Sequence, residues 1–320
     1  MYSLVIPVFR NEESLPDLLV ALADLNRRLT GSLEVVFVVD GSPDRSFSLL
    51  AERLPASGLR SKLLLLSRNF GSFAAIRAGL AAASGEYFAV MAADLQEPPE
   101  LVERFFSILS AREADVVFGT RESRSDPWIS RAASRVFWSL YRKLVVREMP
   151  GGGVDIFGCN REFRDQLLQL RESHSSLVAL AFWLGFRRQS VAYTRRTRRH
   201  GRSAWTWRKK VDYLLDSVFA FTDLPIRLLM GTGALGIAVS IGLGLLILTL
   251  RLLGDIPVPG YAATALLITF FGGLNIFGIG LVGSYAWRTY ENSKSRPLAI
   301  VMREVSYPPG ERLGSDPKSP

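Results

Sequence analysis

The sequence is poor in the residues that build cysteine-based and histidine-based sites. Its 320 residues contain one cysteine, Cys159, and two histidines, His174 and His200. A single cysteine excludes an internal disulfide framework and a cysteine-rich zinc site, and this favours a reducing, cytoplasmic setting. Two isolated histidines exclude a histidine-rich metal site and argue against a serine or cysteine hydrolase.

Familiar nucleotide-binding and hydrolase motifs are missing as well. No G-x-G-x-x-G follows the first apolar run, and no G-x-x-x-x-G-K-[ST] occurs anywhere in the chain. A nicotinamide-dependent enzyme and a P-loop enzyme are therefore not expected. The G-x-S-x-G turn of the α/β-hydrolases is absent too, which removes another large class of enzymes.

Acidic residues are missing from one long basic segment. The chain carries a formal net charge of +9, which favours an anionic partner: nucleic acid, anionic lipid or a phosphorylated substrate. Between Arg187 and Lys210 there are ten Lys and Arg residues, no acid, and the aromatic residues Tyr193, Trp205 and Trp207. This run leads directly into an apolar helical pattern from Val211 to Phe219, so a membrane surface is expected and nucleic acid is not.

Two stretches near the C-terminus lack charge altogether. Leu228 to Leu250 is uncharged over 23 residues, and Ile256 to Trp287 is uncharged over 32. Each exceeds the roughly 20 residues that cross a bilayer, which predicts a transmembrane hairpin with spans at about 228–250 and 262–287 rather than buried helices of a soluble core. Basic residues flank the hairpin on its outer sides, and this places both termini in the cytoplasm.

The first 120 residues alternate short apolar runs with amphipathic stretches, a pattern typical of an α/β fold with a mostly parallel sheet and helices on both faces. The helical stretches include Leu15 to Leu29 and Phe73 to Ala83. The predicted strands are Leu4 to Phe9, Glu34 to Val39, Lys62 to Leu66, Tyr87 to Met91 and Asp115 to Phe118.

Polar residues follow each of these five strands. They include Asp40-Gly41-Ser42 after the second strand, Arg68-Asn69-Phe70-Gly71 after the third and Asp94-Leu95-Gln96 after the fourth. Ligands of open α/β sheets bind at the carboxyl ends of the strands. We therefore expect one polar crevice there, although Asp40 or Ser42 could instead cap the helix that begins near Asp44.

The order of these motifs resembles glycosyltransferase family 2, and in particular its polyprenyl-phosphate branch. The resemblance rests on Pro7-Val8-Phe9, Asp40-Gly41-Ser42, Arg68-Asn69-Phe70-Gly71, Asp94-Leu95-Gln96-Glu97-Pro98-Pro99-Glu100 and Gly201-x-Ser203. It implies a GT-A fold, an integral protein of a bacterial-type cytoplasmic membrane, and possible homo-oligomers. It also implies inverting transfer of a sugar from a nucleotide-sugar donor to an undecaprenyl-phosphate-like lipid, assisted by Mg²⁺ or Mn²⁺.

The resemblance also implies a division of the chain. Residues 1–205 would form the cytoplasmic catalytic domain, 206–227 a basic and amphipathic juxtamembrane segment, 228–287 the hairpin, and 288–320 a cytoplasmic tail. Processive polysaccharide synthases of the same family carry Q-x-x-R-W and more spans. Here Gln189 is followed by Ser-Val-Ala-Tyr, so a synthase is not expected.

Matching positions suggest roles for individual residues. The resemblance assigns donor binding to Pro7, Phe9, Glu12, Asp40, Arg68 and Asp94; catalysis to Asp94, Arg121 and Arg131; the acceptor phosphate to Arg121, Arg131, Arg202 and Ser203; and the metal to Asp94 and Gln96. Arg135 is a weaker acceptor candidate, and Asp155 matches a further acid of the crevice. For Arg121 and Arg131 the alternative is an ordinary solvated surface arginine.

Two positions depart from the family pattern. Relatives have an acid where this chain has Val39, and a second acid where it has Ala92. A catalytically silent relative that binds lipid phosphate or a transporter is therefore the alternative function. If the protein is an enzyme, Asp94 with Gln96 would bind the metal only together with the donor's diphosphate.

Overall fold

The computed structural model describes residues 1–121, 139, 141–143, 146, 148, 150, 154–172, 175–196, 215–253 and 260–309. The chain divides into two compact units, Met1–Lys210 with Arg296–Pro320, and Val211–Ser295. The first unit contains the sheet and the helices that cover it. The second contains the long apolar helices.

Among the residues that the structure describes, the sheet of the first unit has eight strands. They are β1 (Tyr2–Val8), β2 (Leu33–Val39), β3 (Arg60–Leu66), β4 (Tyr87–Val90), β5 (Val116–Arg121), β6 (Val154–Asn160), β7 (Arg188–Tyr193) and β8 (Val301–Tyr307). Their spatial order is β7-β5-β6-β4-β1-β2-β3-β8. β6 runs antiparallel to both of its neighbours, β4 and β5, and β8 runs antiparallel to β3, whereas the other pairs are parallel.

Helices connect the strands of the first unit. They are α1 (Leu15–Arg28), α2 (Ser46–Arg53), α3 (Ser72–Ala82), α4 (Pro99–Ser110), α5 (Arg161–Gln169) and α6 (Leu177–Trp183), with a 3₁₀ turn at Leu54–Ala56. Pro99 stands at the start of α4, where a missing backbone N–H costs nothing. The five strands and two helices predicted from periodicity are confirmed to within a few residues at their ends.

The core lies on both faces of β1 and β2. Leu4 and Ile6 are fully buried in the cluster that contains the apolar faces of α1 and α4. Alternate residues point to opposite faces of a strand, so Val5 lies on the other side. There α3 approaches so closely that a Cβ on Gly79 would stand 2.3 Å from Cγ1 of Val5. The expected arrangement of helices on both faces is confirmed.

A buried carboxylate links the segments at the amino ends of the parallel strands. Glu34 is fully buried and accepts hydrogen bonds from Ser3 Oγ at 2.5 Å and from the Ser84 N–H at 2.7 Å. Lys62 Nζ lies 3.7 Å from its other oxygen. Burial alone would raise the pKa of Glu34, but these two hydrogen bonds and Lys62 hold the pKa below its ordinary value.

The described part of the second unit contains a short helix at 215–221, α7 (Leu224–Leu252) and α8 (Tyr261–Ser293). Both long helices are apolar and long enough to cross a membrane, and they contain the two predicted spans. Asp216 of the short helix accepts a hydrogen bond from Arg288 Nη2 at 2.7 Å. The predicted juxtamembrane segment thus includes a helical turn, and α7 already begins inside it.

The chain returns to the sheet after α8. Residues 301–307 form β8 and pair with β3, with Leu63 opposite Val305 and Leu64 opposite Glu304. Sequence reasoning treated 288–320 only as a tail and predicted no strand there. The reason is physical: β8 is an edge strand whose side chains are mostly exposed, so it lacks the apolar run that identifies buried strands.

Replacing Glu34 by glutamine tests the buried carboxylate. We expect Glu34→Gln to lose about 2 kcal/mol of unfolding free energy at neutral pH, because charged hydrogen bonds in a buried site are lost. The pKa of Glu34 in the folded protein lies below its ordinary value of 4.5. The ionised carboxylate therefore stabilises the folded protein above pH 4.5, and this stabilisation is lost as the pH falls below that value.

Urea unfolding of the full-length protein in detergent would measure the difference at neutral pH and at about pH 4. The exposed Glu52 of α2 supplies the control variant Glu52→Gln, which should be silent. An equal loss for Glu34→Gln at both pH values would contradict the assignment.

Candidate active site

The strand order reverses at β1. This strand has β2 on one side and β4 on the other, both parallel to it. β2 and β3 therefore extend the sheet on one side of β1, and β4 begins its other side. Such a switch point opens a crevice at the carboxyl ends of the strands. β5 points the same way, because two successive antiparallel pairings through β6 restore the direction of β4. All five predicted polar strand ends therefore share one edge.

The loops after β1 and β2 are cross-linked by hydrogen bonds. The Arg10 N–H donates to Ser42 Oγ at 2.8 Å, and the Glu12 N–H donates to Asp44 Oδ2 at 3.2 Å. In return, the Arg45 N–H donates to Glu12 Oε2 at 2.8 Å. Each loop therefore holds the backbone of the other, and Glu12, predicted to bind the donor, also shapes the crevice.

Asp44 is the acid that serves α2. Its Oδ1 accepts from Ser42 Oγ at 2.6 Å and from the Ser46 N–H at 3.2 Å, at the first residue of the helix. Burial would raise its pKa, but these donors, with the Glu12 N–H, hold the pKa below its ordinary value. The alternative in which Asp40 or Ser42 accepts the helix N–H is therefore wrong.

Asp40 instead binds the loop after β3. Its side chain is buried and accepts from the Phe70 N–H at 2.7 Å and the Gly71 N–H at 2.9 Å. Burial raises the pKa of Asp40, and the two N–H donors and Arg68 oppose this rise only in part. Both oxygens thus have backbone partners, and the observed role of Asp40 is to hold the entrance of α3 against the end of β2.

Gly41 allows this contact. Its φ is +55°, and a Cβ there would lie 2.3 Å from the carbonyl carbon of Arg68 and 2.5 Å from the Asn69 nitrogen. Contacts under 3.0 Å with backbone atoms require the backbone to move. The glycine of the Asp40-Gly41-Ser42 motif is therefore needed for a close crossing of two loops.

Aromatic and cationic side chains border the same edge. The Arg68 guanidinium lies 4.3 Å from the centre of the Phe70 ring, and Arg68 is exposed. Pro7 and Phe9 are half-buried at the end of β1, and the Phe9 N–H donates to Asn11 Oδ1 at 3.1 Å. These residues lie where the donor-binding prediction requires, and their roles stay predictions.

Asp94 lies in the turn that follows β4. It is half-buried, and its Oδ1 accepts from the Gln96 N–H at 3.2 Å. Leu95 between them adopts a left-handed conformation with a φ of 54°, as part of the turn that this hydrogen bond closes. The Gln96 side chain donates from Nε2 to the Arg196 carbonyl at 3.4 Å and accepts at Oε1 from Arg195 Nη2 at 2.5 Å.

The oxygen atoms of Asp94 and Gln96 are of the kind that divalent cations bind. Asp94 supplies a carboxylate and Gln96 an amide oxygen, both hard donors suited to Mg²⁺ or Mn²⁺. Within the described part of the chain, no three His, Cys, Asp or Glu side chains cluster as a complete metal site. Mg²⁺ commonly takes one or two protein carboxylates and completes its octahedron with phosphate and water.

The two departures from the family pattern differ in their surroundings. Val39 is fully buried in the core at the end of β2, whereas Ala92 is half-buried between β4 and Asp94. The side chain at position 39 thus contributes to packing rather than to the crevice. Asp155 is the second residue of β6, next to Val154, which pairs with Thr120 near the end of β5.

Arg121 is the last residue of β5, half-buried, and pairs in register with Tyr193 of β7. Its position at the carboxyl edge agrees with an acceptor-side role, which stays a prediction. Arg131, Arg135, Arg202 and Ser203 lie outside the described residues. Sequence reasoning did not single out Arg195, because its one signal is a position just after β7, a strand that was not predicted.

The chain matches the family described as Glycosyl transferase family 2 over residues 3–171. It is 30% identical over 315 residues to an uncharacterized glycosyltransferase of Synechocystis sp., covering 97% of this chain and 98% of that protein. It is 31% identical over 313 residues to the undecaprenyl-phosphate 4-deoxy-4-formamido-L-arabinose transferase of Sodalis glossinidius, covering 96% and 94%. A more distant similarity, with a TM-score of 0.42 and 19% identity, links 63% of this chain to 73% of glucosyl-3-phosphoglycerate synthase from Mycobacterium tuberculosis.

Paired glycine variants test the crossing at Gly41. Gly31 also has a positive φ, +74°, but nothing lies within 4 Å of its would-be Cβ. We expect Gly31→Ala to cost about 1 kcal/mol from backbone strain alone. Gly41→Ala should cost a further 1–3 kcal/mol, roughly, because the backbone at 68–69 must move. Thermal unfolding of both variants would measure this, and equal losses would contradict the close crossing.

Proposed function

This chain belongs to glycosyltransferase family 2, and we propose that it transfers a sugar from a nucleotide sugar to the phosphate of a membrane polyprenol. The observation that carries the proposal is the Asp94-Leu95-Gln96 turn at the switch-point edge, in a chain that also carries two long apolar helices. Relatives named undecaprenyl-phosphate 4-deoxy-4-formamido-L-arabinose transferase match more than nine-tenths of their own length. They support an undecaprenyl-phosphate-like acceptor.

The proposed reaction needs little proton chemistry from the protein. An oxygen of the acceptor phosphate attacks the anomeric carbon, the bond from that carbon to the donor diphosphate breaks, and the nucleoside diphosphate leaves with the electron pair. The configuration inverts. Because a phosphomonoester has a second pKa of about 6, the attacking oxygen already lacks a proton near neutral pH and needs no general base.

What the crevice must supply is position and charge. On the donor side, we assign nucleotide contacts to Pro7 at the end of β1 and to Phe9 and Arg68 in the loops after β1 and β3. Side chains of Glu12 and Asp40 bind backbone N–H groups of neighbouring loops at this edge. Asp94 and Gln96 would hold Mg²⁺ or Mn²⁺, which neutralises charge on the departing diphosphate. The fixed loops reduce the reorganisation that a bound donor would otherwise require.

On the acceptor side, we assign the lipid phosphate to Arg121, whose guanidinium can offer two parallel donors to phosphate oxygens. Arg131, Arg202 and Ser203 join it on the sequence pattern alone. α7 and α8 would anchor the enzyme in the cytoplasmic membrane with both termini and the crevice on the cytoplasmic side. Anchoring keeps the crevice beside a phosphate that cannot leave the bilayer.

A donor screen tests the reaction and identifies the sugar. The full-length protein in detergent is incubated with undecaprenyl phosphate, Mg²⁺ or Mn²⁺ and each common nucleotide sugar, and lipid-linked product is measured. We expect product with at least one donor and a loss of at least about 100-fold in Asp94→Ala, because a fixed charge opposite the leaving group is removed. Asp24→Ala, which removes partly exposed ion pairs with Arg27 and Arg28 on α1, should retain full activity. No product with any donor would sink the proposal.

Nucleotide-sugar affinity separates the enzyme from a catalytically silent relative, the function that Val39 and Ala92 favour as an alternative. For the enzyme, we expect Mn²⁺ to strengthen donor binding at least about tenfold, with the enhancement lost in Asp94→Ala. Calorimetric titrations with and without Mn²⁺ measure both. Absence of donor binding in the wild-type protein supports the silent relative, and tight Mn²⁺ binding without a nucleotide contradicts the expected dependence on the diphosphate.

A further inference from the structure

The residues that follow β7 lie against the Asp94-Leu95-Gln96 turn. The Arg196 N–H donates to the Gln96 carbonyl at 2.9 Å, and Gln96 Nε2 reaches the Arg196 carbonyl at 3.4 Å. Backbone and side chain of Gln96 are thus both held by the segment 194–196. This contact joins the turn after β4 to the segment after β7, 100 residues later in the chain.

Arg195 adds a charged contact at the same place. Its Nη2 donates to Gln96 Oε1 at 2.5 Å, and its Nε lies 3.9 Å from Glu97 Oε1. The Glu97 side chain is only 2% exposed. A carboxylate buried this deeply requires cationic or hydrogen-bonding partners, and the Arg195 guanidinium is a cation at ion-pair distance from it. The same guanidinium donates to the Gln96 amide oxygen and restricts its orientation.

We infer that Arg195 is a positioning residue, which presents the Gln96 amide oxygen beside Asp94 to the divalent cation that accompanies the donor diphosphate. The inference rests on the proposed function. An amide oxygen has two acceptor lone pairs, so it can accept from Arg195 and still face a cation. Partners that orient a metal ligand in this way typically contribute about 10–100-fold in metal affinity or activity.

The same guanidinium makes the turn selective for a cation paired with an anion. A positive charge within hydrogen-bonding distance of a ligand oxygen repels a bare cation, and this repulsion is stronger in a partly buried site than in water. The diphosphate of the donor offsets that repulsion. Arg195 therefore gives a physical reason, besides Ala92, for a metal that binds only together with the donor.

A double-mutant cycle tests the inference. Free Mn²⁺ is measured by its electron paramagnetic resonance signal during titration of the full-length protein in the presence of UDP, GDP, CDP or dTDP. We expect Arg195→Met and Gln96→Ala each to raise the Mn²⁺ concentration for half-saturation about tenfold or more. The double variant should be no worse than Gln96→Ala, because Arg195 acts through Gln96.

Arg196→Met is the matched control. Arg196 is the neighbouring residue, but its side chain contacts the exposed Glu100 at 3.3 Å, so half-saturation should stay within about twofold. Arg195→Lys keeps a positive charge near the buried Glu97, so this second variant is expected to fold even if Arg195→Met does not. Lysine lacks the fork that spans Gln96 and Glu97, so this variant should keep the thermal unfolding temperature and still bind Mn²⁺ more weakly.

Hydrogen exchange tests the contact between Arg195 and Gln96 in the absence of metal and nucleotide. Peptides that cover residues 94–97 and 194–196 should exchange faster in Arg195→Met and unchanged in Arg196→Met. Unchanged Mn²⁺ affinity in Arg195→Met, or additive effects in the double variant, would overturn the inference and leave the proposed function standing. Wild-type protein that binds no Mn²⁺ with any nucleotide and forms no lipid-linked sugar overturns the proposed function itself.

Discussion

Parallel pairing of β1 with both β2 and β4 is the constraint on which the rest of the first unit depends. It places the carboxyl ends of β1, β2 and β4 at one edge, which β3 and β5 share, and makes β1 the point where the chain order reverses. The loops at that edge have no sheet partners of their own, so their shape must come from side chains. Polar side chains therefore supply the hydrogen bonds that the ladder supplies elsewhere.

Those hydrogen bonds run from side chains of one loop to the backbone of another. Glu12 and Asp44 hold each other's loops, and Asp40 holds the N–H groups at the entrance of α3. Acidic residues of the motifs, which the sequence predicts as ligand contacts, thus have a structural role in these loops. A variant at Asp40 would change the geometry of these loops, so a kinetic effect of such a variant needs a stability measurement beside it.

The crevice has few acidic side chains at the turn after β4. With Val39 inside the core and Ala92 before Asp94, the predicted metal ligands of the turn after β4 are one carboxylate and one amide, and Arg195 donates to the amide. The other acid of this turn, Glu97, is buried near Arg195. By itself, such a set of ligands would hold a divalent cation weakly. A donor diphosphate would supply the missing negative charge, and the proposed metal binding would then be coupled to donor binding.

The sequence by itself determined the alternation of strands and helices, the polar strand ends, the two apolar helices and the family, because these depend on local periodicity and on motifs read along the chain. Only the tertiary structure decided that Asp40 holds residues 70 and 71, that Asp44 serves α2, that β8 completes the sheet and that Arg195 reaches Gln96. Each of these contacts joins segments whose pairing depends on strand order and loop crossing. No local pattern encodes such pairings, because the hydrogen-bonding capacity of an acid or an arginine is the same whichever partner the fold brings to it.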